Sequence, residues 1–136
     1  MKVFVDTSAF VALRNRSDPG HASASAARTT LVDQRATLFT SNLVFAETYT
    51  ALLVRVGYEE ALRWGRAFRG GTAVELVRVD DEIEDDAWSI LETYADKRWS
   101  DVDATSFALM AREGAADAFA LDQHFRQRGL RVIPDL

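Results

Sequence analysis

Lys2-Val3-Phe4-Val5 is a short β-branched and aromatic run that ends directly on an acid, Asp6. Such a run reads as a buried strand. A carboxylate beside apolar residues is costly unless it is paired, protonated or bound to a cation. The same problem recurs three times: Glu47 in Asn-Leu-Val-Phe-Ala-Glu-Thr, Asp103 in Asp-Val-Asp-Ala-Thr-Ser-Phe, and Asp122 after Ala-Phe-Ala-Leu. Lys2 and Lys97 are the only lysines, so no matching set of ammonium groups offsets these acids. A metal ion is a source of the missing positive charge.

Strands and helices alternate along the whole chain. Strands are predicted at 2–5, 37–39, 74–77, 118–121 and 131–133. Helices are predicted from Ser8 to the Asn15–Gly20 turn, over 21–34, from Ser41 or Asn42 to Val56, and over 58–69, 81–96, 103–113 and 123–128. This order points to an α/β fold, a parallel sheet covered on both faces. At 136 residues, without repeat or linker, residues 1–136 are expected to form one domain.

The chain has no cysteine, which excludes disulfides, thiolate metal sites and cysteine nucleophiles. No signal-like segment opens the sequence and no apolar stretch is long enough to span a bilayer. A cytoplasmic protein is the expectation. The net charge of −5 argues against a generally basic surface. A cluster of acids lowers the sum, however, and arginines elsewhere can still build a local basic face. Arginine suits bidentate contacts to phosphate or carboxylate, so RNA and an acidic partner both stay open.

Asp6 and Asp122 each follow an apolar strand, and in open parallel sheets the carboxyl ends of the strands face the ligand crevice. The competing reading of Asp6 is a cap for the next helix. Glu47 has Leu43, Val44, Thr50 and Ala51 as its helical neighbours, which predicts a carboxylate turned inward. Asp103 stands three residues after Ser100, as in a capping box, and Asp101 is its rival for any metal role. If these acids converge they cannot all ionise near neutrality unaided. Mg²⁺ or Mn²⁺ resolves the conflict and brings phosphodiester hydrolysis as its chemistry.

The ordered set Asp-Thr-Ser-Ala-Phe, Asn-Leu-Val-Phe-Ala-Glu-Thr, Asp-Ala-Thr-Ser-Phe-Ala-Leu-Met, Leu-Asp-Gln-His-Phe and Gly-Leu-Arg-Val-Ile-Pro resembles PIN-domain ribonucleases of the VapC toxin type. The likeness runs from Val3 to Pro134. It implies a five-stranded parallel sheet with helices on both sides. It also implies that Asp6, Glu47, Asp103 and Asp122 bind Mg²⁺ or Mn²⁺ for RNA cleavage, with Thr7, Ser8 and Ser106 in support. Asp103 rather than Asp101 takes the third position, because the Asp-Ala-Thr-Ser-Phe spacing starts there. A VapB-type antitoxin and a homodimer, with higher toxin–antitoxin assembly, are implied partners. Ala120 departs from the pattern, since many relatives carry a hydroxyl residue there.

Other groups have plainer readings. His21 and His124 are expected to be solvent-facing or capping rather than an acid–base pair. Arg63, Arg66 and Arg69 share one helical stripe that reads as a solvated face. The acids from Asp80 to Asp86 lack a metal-loop spacing and open a helix, where negative charge is favoured. Trp64, Phe68, Trp88 and Trp99 are expected in the core or at a partner interface. Two rival functions stand beside the nuclease. One is a phosphatase using Asp6 as nucleophile, weakened by Ser8 where a second Asp is usual. The other is a PIN-like module that binds RNA or protein without cutting.

Overall fold

A computed structural model describes residues 1–135. The elements are β1 (Lys2–Val5), α1 (Thr7–Arg14), α2 (His21–Asp33), β2 (Thr37–Ser41), α3 (Asn42–Arg55), α4 (Tyr58–Gly70), β3 (Val74–Val77), α5 (Asp81–Thr93), α6 (Asp101–Glu113), β4 (Asp117–Phe119), α7 (His124–Gln127) and β5 (Arg131–Ile133). The five strands form one sheet in the order β3-β2-β1-β4-β5. Every pairing is parallel, with Phe4 opposite Phe39 on one side and Ala118 on the other. This is the expected five-stranded α/β architecture.

The strand order reverses at β1, which pairs with both β2 and β4. Chain progress from β1 to β3 carries α1 to α4, which pack as one group. Chain progress from β3 to β5 carries α5 to α7, which pack as another. With right-handed crossovers the two groups cover opposite faces. The crevice at the carboxyl ends of β1 and β4 is therefore the place where a ligand site belongs.

Burial follows from composition. Val3, Phe4 and Val5 are at most 2% exposed, as expected of a central strand covered on both faces. Helix α6 is buried continuously from Asp103 to Met110, so it is a core helix and not an amphipathic surface one. Helix α4 is the opposite case: Ala61, Trp64 and Gly65 face inward while Arg63, Arg66 and Arg69 are exposed. The arginine stripe is thus the solvated face that its spacing suggests, with Arg63 paired to Glu60 at 2.8 Å. Phe10, Phe45, Trp64 and Phe68 form an aromatic cluster with ring centroids 5.1–6.0 Å apart. Trp99 is also buried, whereas Trp88 is 61% exposed on α5.

Several boundaries differ from expectation. Strand β4 ends at Phe119 rather than at residue 121. Ala120 still bonds to Ile133 through its N–H, but the N–H of Leu121 turns to the Ser8 hydroxyl. Asp122 therefore lies three residues beyond the strand, at the end of a short connector. Helix α6 begins at Asp101 because Ser100 caps it. Helix α5 stops at Thr93, short of Asp96.

Candidate active site

Asp6 opens the site. It follows β1, is 3% exposed and caps α1. Its Oδ2 accepts from the Ser8 N–H at 3.1 Å and from the Ser8 hydroxyl at 2.6 Å. The same hydroxyl accepts from the Leu121 N–H at 2.9 Å. One serine thus ties the end of β1 to the connector after β4. Gly20 keeps that junction tight from outside, since a Cβ there would overlap Leu121 Cδ2.

Asp103 comes from α6. Its Oδ2 accepts from the Ser100 N–H while its own N–H donates to Ser100 Oγ, both at 3.0 Å. The two bonds make the capping box that the spacing suggested. Asp103 is 7% exposed, whereas Asp101 is exposed on the first turn of the same helix. The buried position belongs to Asp103. Asp122 comes from the connector after β4, and its Oδ1 accepts from the His124 N–H at 3.0 Å, just before the single turn α7.

Asp6 Oδ2 and Asp103 Oδ2 hold the starts of α1 and α6, and Asp122 Oδ1 accepts from the His124 N–H. Among the described residues the second oxygen of each accepts no hydrogen bond. The three carboxylates also feel one another. Burial pushes the Asp6 carboxyl up from 3.8 to about 7, Asp122 adds to the rise, the Ser8 bonds oppose it, and Asp103 adds a smaller repulsion. A buried acid crowded by two like charges is the electrostatic mark of a cation site or a functional carboxyl.

His124 is the residue whose role the sequence obscured. Its side chain is 33% exposed, but its Nδ1 is closed off from solvent. Its Nδ1 lies 2.9 Å from Asp103 Oδ2 and 3.9 Å from Asp122 Oδ2. The first approach lacks the direction of a hydrogen bond, and this buried nitrogen has no other partner. Asp103, Asp122 and His124 each offer a ligand atom within 4.8 Å of the other two. Oxygen atoms with one imidazole nitrogen suit a divalent ion, so the donor set fits Mg²⁺ or Mn²⁺. The readable signal was Asp-x-His at the start of a helix. Phe125 then supplies the force that seats the ring: it is fully buried, with its ring 6.0 Å from Phe4 and 5.2 Å from Phe107.

Glu47 does not behave as expected. It is exposed on α3 and stands outside the Asp103–Asp122–His124 group. The buried stripe of α3 is Val44, Thr48 and Leu52. Glu47 lies at the edge of that stripe, so apolar neighbours three and four residues away did not turn it inward. The supporting hydroxyls also differ in role. Ser8 braces the site, while Ser106 donates to the carbonyl of Val102 at 2.8 Å within its own helix. Thr7 Oγ1 is buried without a partner, as are Thr48 Oγ1 and Thr105 Oγ1. His21 serves packing instead, its Nδ1 2.8 Å from the Ala12 carbonyl. Asp80 caps α5 and pairs with Arg112, so the acidic run at 80–86 plays the structural part assigned to it.

Comparison with known proteins agrees with this fold. The chain is 36% identical over 134 residues to the 23S rRNA-specific endonuclease VapC20 of two Mycobacterium tuberculosis strains, covering 98% of this chain and 99% of the relative. The crystal structure of M. tuberculosis VapC20, described as a sarcin-ricin loop cleaving toxin, superposes with a TM-score of 0.85 over 94% of this chain and 95% of that one. Two more distant structures share the fold. VapBC2 of Rickettsia felis bound to promoter DNA has a TM-score of 0.71 at 15% identity, over 97% of each chain. FitAcB of Neisseria gonorrhoeae has 0.67 at 14%, over 97% and 96%. Residues 3–129 match the PIN domain, and with a relative of this identity over nearly its full length the chain belongs to the PIN-domain family.

Proposed function

We infer that this protein is an endoribonuclease toxin whose phosphodiester hydrolysis depends on Mg²⁺ or Mn²⁺ at Asp6, Asp103 and Asp122. One observation carries the reading: Asp103 and Asp122 offer ligand atoms within 4.8 Å of each other, and burial, with their charges, holds the Asp6 carboxyl at the end of β1 up to about 7. A nuclease site needs positive charge at neutral pH, and these acids lack it without an ion. When bound, the ion neutralises charge on the phosphodiester and makes water a better nucleophile. Asp6 holds a proton in the ion-free state and releases it as the ion binds. Ser8 fixes the Asp6 carboxylate against the Leu121 backbone, so that its second oxygen stays turned to the crevice. Glu47 acts from α3 through water rather than as a direct ligand. In-line attack leaves a 5′-phosphate and a 3′-hydroxyl.

The substrate we propose is the sarcin-ricin loop of 23S rRNA, the target named for the full-length relative at 36% identity. Mapping new 5′-phosphate ends after brief induction, with Asp6→Asn as control, tests this. Ends clustered in that loop and absent from the control support the proposal; ends scattered through messenger RNA overturn the substrate, and no new ends overturn the activity. We further propose a VapB-type antitoxin whose tail covers the crevice, and a homodimer. Mass measurement of the protein alone and with its neighbouring gene product tests both. A strict monomer that binds no neighbour refutes them.

A further inference from the structure

Resting on the reading of Asp6, Asp103 and Asp122 as a cation site, we propose that His124 Nδ1 is a direct ligand of the ion and biases the site toward Mn²⁺ over Mg²⁺. The observation is an unexplained close approach. Nδ1 and Asp103 Oδ2 are 2.9 Å apart, the nitrogen is closed off from solvent, and it has no hydrogen-bond partner. A lone-pair nitrogen held that close to a carboxylate oxygen is favourable only with positive charge beside it, supplied either by a proton on the ring or by a bound cation.

The spacing suits an ion. Ligands about 2.1 Å from an octahedral centre stand about 3.0 Å apart when adjacent and about 4.2 Å apart when opposite. The nitrogen lies 2.9 Å from Asp103 Oδ2, the adjacent separation, while Asp122 Oδ2 at 3.9 Å stands between the adjacent and opposite separations. The ring is not free to leave. Its backbone N–H is tied to Asp122 Oδ1, and the next residue, Phe125, is fully buried. The scaffold thus brings an imidazole nitrogen to a set of carboxylate oxygens.

A nitrogen donor has a chemical consequence. Mg²⁺ favours oxygen ligands, whereas imidazole suits first-row transition ions, whose affinities for mixed N and O sites rise above it. A site of acids alone discriminates weakly between Mg²⁺ and Mn²⁺. Exchanging one oxygen for an imidazole nitrogen shifts the balance to Mn²⁺ and makes the site selective among cellular cations.

The test uses the intact protein and reads binding rather than cleavage. Mn²⁺ and Mg²⁺ affinities are measured calorimetrically for wild type, His124→Ala and His124→Gln. Electron spin-echo spectra are recorded on the Mn²⁺-loaded proteins with unlabelled and ¹⁵N-labelled histidine. The expected wild-type spectrum shows nitrogen modulation that changes with the label. Both variants lose it, and their Mn²⁺ affinity falls roughly 10-fold or more while Mg²⁺ affinity moves less than about 3-fold. Gln keeps length and polarity and guards against a variant that fails to fold. Mn²⁺ bound in wild type without histidine modulation overturns the role of His124 and leaves the carboxylate site standing. Failure of wild type to bind either ion overturns both.

Discussion

Asp6→Asn separates what the site costs from what it does. In the ion-free protein the Asp6 carboxyl rises from 3.8 to about 7, first through burial and then through repulsion by Asp122. Unfolding restores its ordinary value. Between about pH 4 and pH 7 the folded chain therefore holds a proton that the unfolded chain has released. Stability falls as pH rises through that window and stays low above it. At about 1.4 kcal/mol per pH unit, the rise amounts to about 4 kcal/mol of destabilisation near pH 8. Asparagine has the same shape, accepts the same Ser8 bonds through its carbonyl oxygen, and carries no charge. Urea unfolding with chelator present should give the two proteins equal stability near pH 4 and favour Asn by about 2–4 kcal/mol at pH 8. Saturating Mn²⁺ should narrow the gap, because the ion stabilises only the chain that binds it. A gap that ignores pH, or wild type equal to Asn at pH 8 in chelator, would refute the electrostatic account of the site.

Four other outcomes follow from the geometry. Ser8→Ala removes a donor to Asp6 and strands the buried-side N–H of Leu121; a loss of about 1–3 kcal/mol in urea unfolding is expected, with the pH-dependent window extended upward. Asp103→Asn should abolish RNA cleavage while Asp101→Asn, exposed and outside the group, stays within about 2-fold of wild type in the same gel assay. Glu47→Gln should leave unfolding within about 0.5 kcal/mol and lower cleavage roughly 10- to 100-fold, as loss of a water-mediated contact does. Phe125→Ala should cost about 3–5 kcal/mol in thermal or urea unfolding and weaken Mn²⁺ binding with it, since the same ring seats α7.

The fold was legible because its signals are local. Val3-Phe4-Val5, the Asp18-Pro19-Gly20 turn and the glycines after the helices each act over a few residues, and a chain of alternating strands and helices has few ways to pack. The site was legible in part. Asp6 and Asp103 could be picked out, but their two readings, cap and ligand, looked exclusive; only three dimensions show that each caps a helix through one oxygen and leaves the other without a hydrogen bond. Glu47 misled because its i±3 and i±4 neighbours straddle the edge of a narrow buried stripe, and helical spacing alone does not fix a side chain there. His124 was hidden for a different reason. What seats it is the contact of Phe125 with Phe4 and Phe107, and contacts so distant along the chain are not announced by the local Asp-x-His spacing alone.

The use of Asp6 as the N-cap of α1 also bears on how such a protein can be lost. Aspartate becomes asparagine by a single base transition, and asparagine caps helices about as well. A cell escaping a harmful nuclease by this route inherits a protein that still folds, and at Asp6 one that folds more tightly. That inactive copy still presents its surface to the antitoxin and competes with any active copy for it. Aspartate to alanine removes the cap together with the charge, and its product is prone to unfold and be cleared. Two changes at one codon, both silent in a cleavage assay, thus differ in what they leave behind: one a persistent decoy, the other an absence.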